Sequence, residues 1–407
     1  LKRQTIATHN ISILFWVQFF GTISFLQPVM TLFYMERGLT AANIFIVMMC
    51  WSGAVLVGEI PAGVFADRFG AKLSFLTGSI IKTFSISILL FADNLWLFCL
   101  YSLLNGLSVT FFSGADEALI YESLKENNEQ HVMDQAMGKI QSAGFISMLF
   151  AVIFGSYFAK DLREEQFTLL IVLGIIFHLV ELALLFFIKS PKKLSSYREE
   201  SFSQVIEGIK VIRKAPQLLV MFLNVSLVFI PASAVYDTFN QPLFTNAGLP
   251  VFAIGIMYAL AAILGYFSSI SIGWLTSRFS RAILMNVTGG LAVGGLLLST
   301  FFGDTLWVIL GAFFMLRFVR AIRYPIYSQL SNDMIPSHVR ATTISLLSVL
   351  DSILDLIIFG TLSFVAVKSL PFVFAGCACI ACIGTFLPIQ KNAVGVTAQR
   401  RMNRNIK

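Results

Sequence analysis

Apolar runs of about twenty residues, separated by short polar stretches, cover almost the whole chain. Coiled at about 1.5 Å per residue, one such run crosses the hydrocarbon core of a bilayer. Bounded by charge clusters or by Gly, Pro and Asn turns, twelve spans are predicted. The first six cover 10–35, 42–65, 72–92, 95–118, 138–159 and 166–188. The second six cover 217–244, 250–276, 281–302, 304–328, 341–366 and 370–390. The pattern predicts an all-α polytopic membrane protein with twelve transmembrane helices in two six-helix bundles. Its parts are an N-terminal bundle over 1–188, a connector over 189–216, a C-terminal bundle over 217–390 and a basic tail over 391–407.

Within the connector, Phe202, Val205, Ile206, Ile209 and Ile212 recur at helical spacing among Glu207, Lys210, Arg213 and Lys214. This predicts an amphipathic helix lying along the inner membrane surface. The first span is too long for a signal-peptide core and lacks a small-residue cleavage site, so it is read as a retained helix.

Composition agrees with the pattern. Apolar residues make up 57% of the 407 and charged residues 13%, against about 25% charged in soluble domains. Mean hydropathy is +0.80. Charge then sets the orientation. Of the 29 Lys and Arg residues, only Arg37, Lys160, Arg163 and Lys368 fall outside, and only Lys82, Arg317, Arg320 and Arg323 fall within spans. The rest lie on the side of the termini, which the positive-inside rule makes cytoplasmic. Basic connectors beside anionic lipid headgroups account for the net charge of +7, with no nucleic-acid partner required.

Chemistry-bearing motifs are few. The five cysteines, Cys50, Cys99, Cys377, Cys379 and Cys382, lie inside spans, and the Cys377, Cys379, Cys382 cluster has no His or carboxylate neighbours, which reads as packing and gives no metal site. No phosphate-binding G-x-x-x-x-G-K-[ST], no G-x-G-x-x-G after a strand and no H-E-x-x-H is present. No cofactor is expected and no catalytic residues are assigned; the chain reads as a non-enzyme. Any work it does draws on an ion gradient or on a solute's own gradient.

Between spans 2 and 3, Gly63-Val-Phe-Ala-Asp67-Arg68-Phe-Gly70-Ala-Lys72 resembles the major facilitator signature G-x-x-x-D-R-x-G-x-[RK]. Small Gly63 permits close helix contact, Gly70 a tight turn, and Asp67, Arg68 and Lys72 supply charges that can pair across the inner face. Glu59-Ile-Pro61-Ala-Gly63 and Ser113-Gly-Ala-Asp116-Glu117-Ala-Leu-Ile-Tyr121 are similar to a bacterial drug and small-solute efflux branch of that superfamily, and Pro336-Ser-His-Val-Arg340-Ala-Thr-Thr-Ile-Ser345 resembles the family's entry into span 11. The resemblance implies the major facilitator fold, a bacterial inner-membrane location and an inner gate. There Asp67 would cap span 11 in the outward-open state, and Arg68 or Lys72 would pair with Asp116 or Glu117. It also implies a rocker-switch cycle with spans 1, 4, 7 and 10 lining the cavity. The chain departs from the pattern in three places. The second-half signature is Gly273-Trp-Leu-Thr-Ser277-Arg278-Phe-Ser-Arg281 without its acid, span 5 has Gly144 and Gly155 but no proline, and Ser102 stands where an arginine would precede Gly106.

Charges at membrane depth mark candidate sites because each is costly unless paired or hydrated. Arg317 and Arg320 on span 10 are expected to face the cavity or span 11, and Arg323 to reach the inner surface. Asp351 and Asp355, one turn apart on span 11, are their expected counter-charges. Either this is a structural ion pair, or one arginine holds an anionic solute while one aspartate exchanges a proton. Tyr236, Asp237 and Asn240 on span 7, Gln18 and Gln27 on span 1 and Asn105 on span 4 complete the candidate solute site. In the first bundle Lys82 is expected to snorkel toward Glu59. His178 and Glu181 read as packing or pairing residues, with a proton relay through His178 as the other reading.

The expected function is secondary active transport of a small organic solute, anionic or zwitterionic, by proton-coupled alternating access in the direction of export, by a monomer bathed in membrane lipid. The alternatives are a broad-specificity efflux antiporter for cationic or lipophilic drugs and, in another class, a non-transporting sensor or scaffold.

Overall fold

The computed structural model describes residues 5–113, 115–126, 129–191, 210, 212–213, 215–335 and 340–389. The predicted connector helix and the tail 391–407 therefore lie almost wholly outside the described residues. Twelve helical segments follow the predicted spans, each within a few residues of its expected position. They are Ile6–Glu36 (interrupted), Ala41–Phe69, Ala71–Ile88, Leu95–Lys125 (interrupted), Met133–Phe158 and Glu164–Leu185, then Pro216–Asn246, Val251–Arg278, Arg281–Phe301, Leu306–Met334, Arg340–Ala366 and Leu370–Phe386. Among the described residues nine helices are long and apolar enough to cross a membrane, and Leu370–Phe386 is a shorter apolar helix. Ala71–Ile88 carries Lys72 and Lys82, and Leu306–Met334 carries the three arginines.

Local sequence explains where these helices begin and end. Thr5, Thr40, Asn94 and Ser280 accept the orphan amide three residues on and start spans 1, 2, 4 and 9. Spans 1 and 7 stop in the same way. Gly38 and Gly248 take φ of +83° and +91°, and the following leucine amides reach back to Tyr34 O (3.0 Å) and Phe244 O (2.8 Å). This is the Schellman closure, which needs a residue without Cβ at the left-handed position. Its recurrence after the first span of each half is a local sign of internal repetition.

By contacts the chain divides into two units, Leu1–Ser195 with Pro250–Ala259, and Ser196–Leu249 with Leu260–Lys407. In the first unit, Leu14, Phe75, Leu119, Leu124, Ile140 and Leu185 form a buried cluster at the end that carries the chain's N-terminus. In the second, Met221, Phe222, Met285, Ile322, Ile326 and Leu347 do the same. Each cluster is tied by a buried asparagine of the unit's first span. Asn10 exchanges hydrogen bonds with the Lys189 backbone (2.8 and 3.0 Å) and donates to Ser123 Oγ (3.0 Å); Asn224 donates to Leu387 O (2.9 Å). Outward-facing side chains are apolar: Trp96, Trp307, Phe364 and Phe386 are 80–83% exposed. In a chain this hydrophobic, such rings contact lipid.

Candidate functional site

In the first unit the site is built by a break in span 1. The helix Ile6–Thr22 stops, residues 23–26 leave helical geometry, and a 3₁₀ turn at Gln27–Val29 leads into Met30–Glu36. A broken helix exposes carbonyls that need donors. Thr22 Oγ1 donates to Gln18 O (2.6 Å), Ser147 Oγ of span 5 to Phe19 O (2.7 Å), and Lys82 Nζ of span 3 to Gly21 O. Span 5 admits the break because Gly155 has no side chain: a Cβ there would lie 2.0 Å from Phe25 O. The Glu181 carboxylate packs on Gly21, whose Cβ would come within 2.5 Å of Glu181 Oε1. Glu181 Oε2 pairs with His178 Nδ1 at 2.8 Å, and both side chains are 2% exposed. Beside the break lies a cavity of about 290 Å³, bordered by Lys82, His178, Tyr101 and Asn105 among mainly apolar side chains.

These positions correct one expectation. Lys82 does not reach for Glu59; it caps the half-helix at Gly21, and Glu59 Oε1 accepts from Ser113 Oγ (2.7 Å). Asn105 borders the cavity as a candidate solute contact. Gln18 faces span 5, where a Cβ on Gly144 would lie 3.2 Å from its amide nitrogen, and Gln27 is exposed at the start of the 3₁₀ turn.

In the second unit span 7 changes winding rather than breaking. Ile230–Val235 forms a π-helical turn around Pro231, which has no amide to donate. Asp237 follows at once. Arg317 Nη2 meets Asp237 Oδ1 at 2.8 Å and Arg320 Nη1 meets Oδ2 at 3.1 Å, so two guanidinium groups of span 10 share one carboxylate. Arg317 also lies over the Phe313 ring (5.1 Å) and Arg320 over Phe229 (5.5 Å). The trio is partly open, with exposures of 20%, 48% and 28% for Arg317, Arg320 and Asp237.

Both arginines pair with Asp237 of span 7, whereas the expected counter-charges were Asp351 and Asp355 of span 11. Asp351 accepts instead from Ser226 Oγ (2.6 Å) and borders a pocket of about 160 Å³ with Tyr327 and Ser331. Asp355, one turn further along, is half-buried. Tyr236 and Asn240, expected to face solute, are wholly buried; the Tyr236 ring packs against Phe374 of span 12. Arg323 does not reach a surface. It is 1% exposed and donates to Asn224 O (2.9 Å), Asn224 Oδ1, Thr288 Oγ1 (3.2 Å) and Met285 O, binding spans 7, 9 and 10 together.

At the signature loop, Gly70 adopts φ of +90° and makes the turn into span 3, as its place in the motif implied. Gly63 is not at a close contact, since a Cβ there meets nothing within 4 Å. Asp67 is exposed. Arg68 lies over Phe69 (5.3 Å), and Lys72 donates to Phe186 O (2.7 Å) at the end of span 6. Neither makes the implied pair with span 4, where Asp116 Oδ1 accepts from the Glu117 amide (2.8 Å). Residues 336–339, leading into span 11, lie outside the described residues.

An all-helical chain with interrupted first spans, paired charges at depth and an apolar exterior has the makings of a solute transporter. Residues 11–358 match the Major Facilitator Superfamily. The chain belongs to that family of membrane transporters. It is 25% identical over 328 residues, 76% of this chain and 78% of the relative, to the uncharacterized MFS-type transporter YxaM of Bacillus subtilis (strain 168). It is 24% identical over 226 residues to the multidrug resistance protein MdtH of Blochmanniella pennsylvanica (strain BPEN), covering 54% of this chain and 51% of that relative. Among solved structures, the nucleoside transporter NupG superposes with a TM-score of 0.74 at 14% identity, over 94% of this chain and 98% of that one. The D-xylose-proton symporter gives 0.70 at 13%, over 95% and 97%. At these identities the two structures speak for the fold alone.

Proposed function

We propose that the chain is a secondary active transporter that moves a small organic anion or zwitterion by alternating access, coupled to protons and working in export. It acts as a monomer in a bacterial inner membrane with both termini in the cytoplasm. One observation supports the choice of solute: two arginines share the single carboxylate of Asp237 at a partly open position. The trio carries one positive charge in excess. A carboxylate or phosphate on the solute is suited to bidentate contact with either planar guanidinium. Asp351 or Asp355 supplies the proton-exchanging carboxyl of the second bundle, and Gly63, Asp67, Arg68, Gly70, Lys72, Asp116 and Glu117 serve the inner gate.

The similarity to MdtH favours a second reading, export of cationic or lipophilic drugs. Against it stands Asp237, the natural cation receptor on span 7, which two arginines already neutralise. Flux into proteoliposomes with and without a pH gradient tests the proposal. Organic anions are expected to accumulate against their gradient only when the pH gradient is present. Asn at the coupling position, Asp351 or Asp355, abolishes that accumulation and leaves solute counterflow intact, because counterflow moves no net proton. Accumulation of lipophilic cations instead, with anions ignored, establishes the second reading.

A further inference from the structure

We propose that His178 and Glu181, beside Lys82 at the break in span 1, form a proton-binding site in the first bundle whose occupancy unlatches that break. The inference deepens the proton coupling proposed above and rests on that reading. His178 and Glu181 are each 2% exposed and joined at 2.8 Å. The remaining groups around them are few. Span 3 contributes the Lys82 ammonium, span 4 the Tyr101 phenol and Asn105 amide across the cavity, and span 5 the Ser147 hydroxyl; span 1 contributes Thr22, Ser24 and backbone.

With a neutral imidazole the cluster balances, because Lys82 and Glu181 cancel. An uncompensated charge is strongly disfavoured in a buried cluster of this kind. A proton added at His178 therefore makes one charge too many, and only Lys82 is free to leave. Its ammonium rides on a four-carbon stem, whereas His178 and Glu181 are fixed to one helix face three residues apart. Lys82 is also the donor that caps the first half of span 1 at Gly21 O. Losing it strips the half-helix of a capping donor at a position where the chain already departs from helical geometry.

Proton access has a structural basis as well. His178 borders the 290 Å³ cavity and Glu181 does not. One ring nitrogen is thus committed to the carboxylate, and the ring edge meets the space from which a proton arrives. The event needs no partner molecule: a proton moves from water in the cavity to imidazole, and the ammonium of Lys82 moves toward the cavity. The cluster then links the protonation state of span 6 to the shape of span 1, the first span of the bundle.

The chain has only four histidines, so selective ¹⁵N-histidine labelling resolves them. The purified full chain in nanodiscs is titrated from pH 5 to 8 and its imidazole signals followed. One signal, absent in His178→Gln, is expected to titrate, and its midpoint is expected to move by about one pH unit or more in Glu181→Gln. Amide exchange of the segment 19–27 is expected to quicken severalfold at low pH in the wild type and to lose that response in His178→Gln. Should Glu181→Gln fail to fold, Lys82→Gln serves in its place, because removing the ammonium must also move the midpoint. A His178 signal that stays constant from pH 5 to 8 overturns the site, as does a midpoint indifferent to both Glu181 and Lys82. Flux measured separately keeps the two readings apart: pH-driven accumulation with a silent His178 sinks this site alone, whereas a titrating His178 with flux blind to the pH gradient supports the site and sinks the coupling.

Discussion

The two bundles use the same framework for opposite kinds of charge cluster. Each begins with an interrupted first span, by a break at 23–26 in one and a π turn at Ile230–Val235 in the other. Each ties that span with a buried asparagine and closes it with the same glycine turn. The clusters beside the interruptions differ in exposure and in balance. His178 and Glu181 are buried, Lys82 beside them is partly buried, and the three sum to zero when the imidazole is neutral. Arg317, Arg320 and Asp237 are partly open and retain a positive charge. Burial forces neutrality, because an unpaired charge away from water is expensive, and hydration lifts that demand. A closed balanced cluster suits the binding of a proton; an open unbalanced one suits the binding of an anion.

The largest expected effect separates the structural arginine of span 10 from the two proposed to act on solute. Arg323→Met strands the acceptors on Asn224, Thr288 and Met285, at about 1–3 kcal/mol for each buried group left unsatisfied. Thermal unfolding in detergent is expected to show a steep loss of stability, whereas Arg317→Gln and Arg320→Gln shift it little, since partly exposed ion pairs contribute about 0–1 kcal/mol. Equal destabilisation by all three makes the whole of span 10 structural.

Next comes the break itself. Gly155→Ala places a methyl group 2.0 Å from Phe25 O, backbone that cannot swing aside. Overpacking of this kind costs about 1–3 kcal/mol, and a lower unfolding temperature is expected. An unchanged one means that span 1 is not seated on span 5.

Removing the carboxylate of the open cluster has a smaller and opposite result. Asp237→Asn raises the excess from one positive charge to two, so affinity for an organic dianion is expected to rise severalfold with stability nearly unchanged. Weaker binding, read by titration calorimetry, makes Asp237 a solute ligand instead. The smallest effect is at Gly63, where the space for a methyl group is open. Gly63→Ala is expected to leave unfolding unchanged or raise it by up to about 1 kcal/mol through helix propensity. A marked loss restores the close-contact role that the signature implied.

Much of the fold was legible because membrane thickness imposes one length on every apolar run. All twelve helical segments fall near their predicted places. The interruptions were less visible. Residues Ile23, Phe25 and Leu26 are as apolar as the helix around them, and only Pro28 hinted at a change. Pro231 alone marked the π turn. Partners of buried charges were the least legible, because helical spacing gives the face of a residue and not the neighbour it meets. Asp351 is one span from Arg320 in sequence, but span 7 is where the guanidinium groups go. Lys82 and Glu59 suit each other as charges, yet a carbonyl freed by the break is the acceptor that lies in reach. Arg323 beside Tyr324-Pro325 resembles a residue at a surface; its enclosure depends on Asn224 and Thr288 from two other spans.

The claim that the arginine pair receives an anion is tested most directly by thermal stabilisation of the purified chain. A panel of di- and tricarboxylates and sugar phosphates is set against tetraphenylphosphonium and other lipophilic cations. A ligand at 100 times its dissociation constant adds about 2.7 kcal/mol. The account predicts stabilisation of the wild type by at least one anion class, reduced by Arg317→Lys or Arg320→Lys and lost in the corresponding Gln variant. Stabilisation by the cations alone, or by anions to the same degree in every arginine variant, contradicts it.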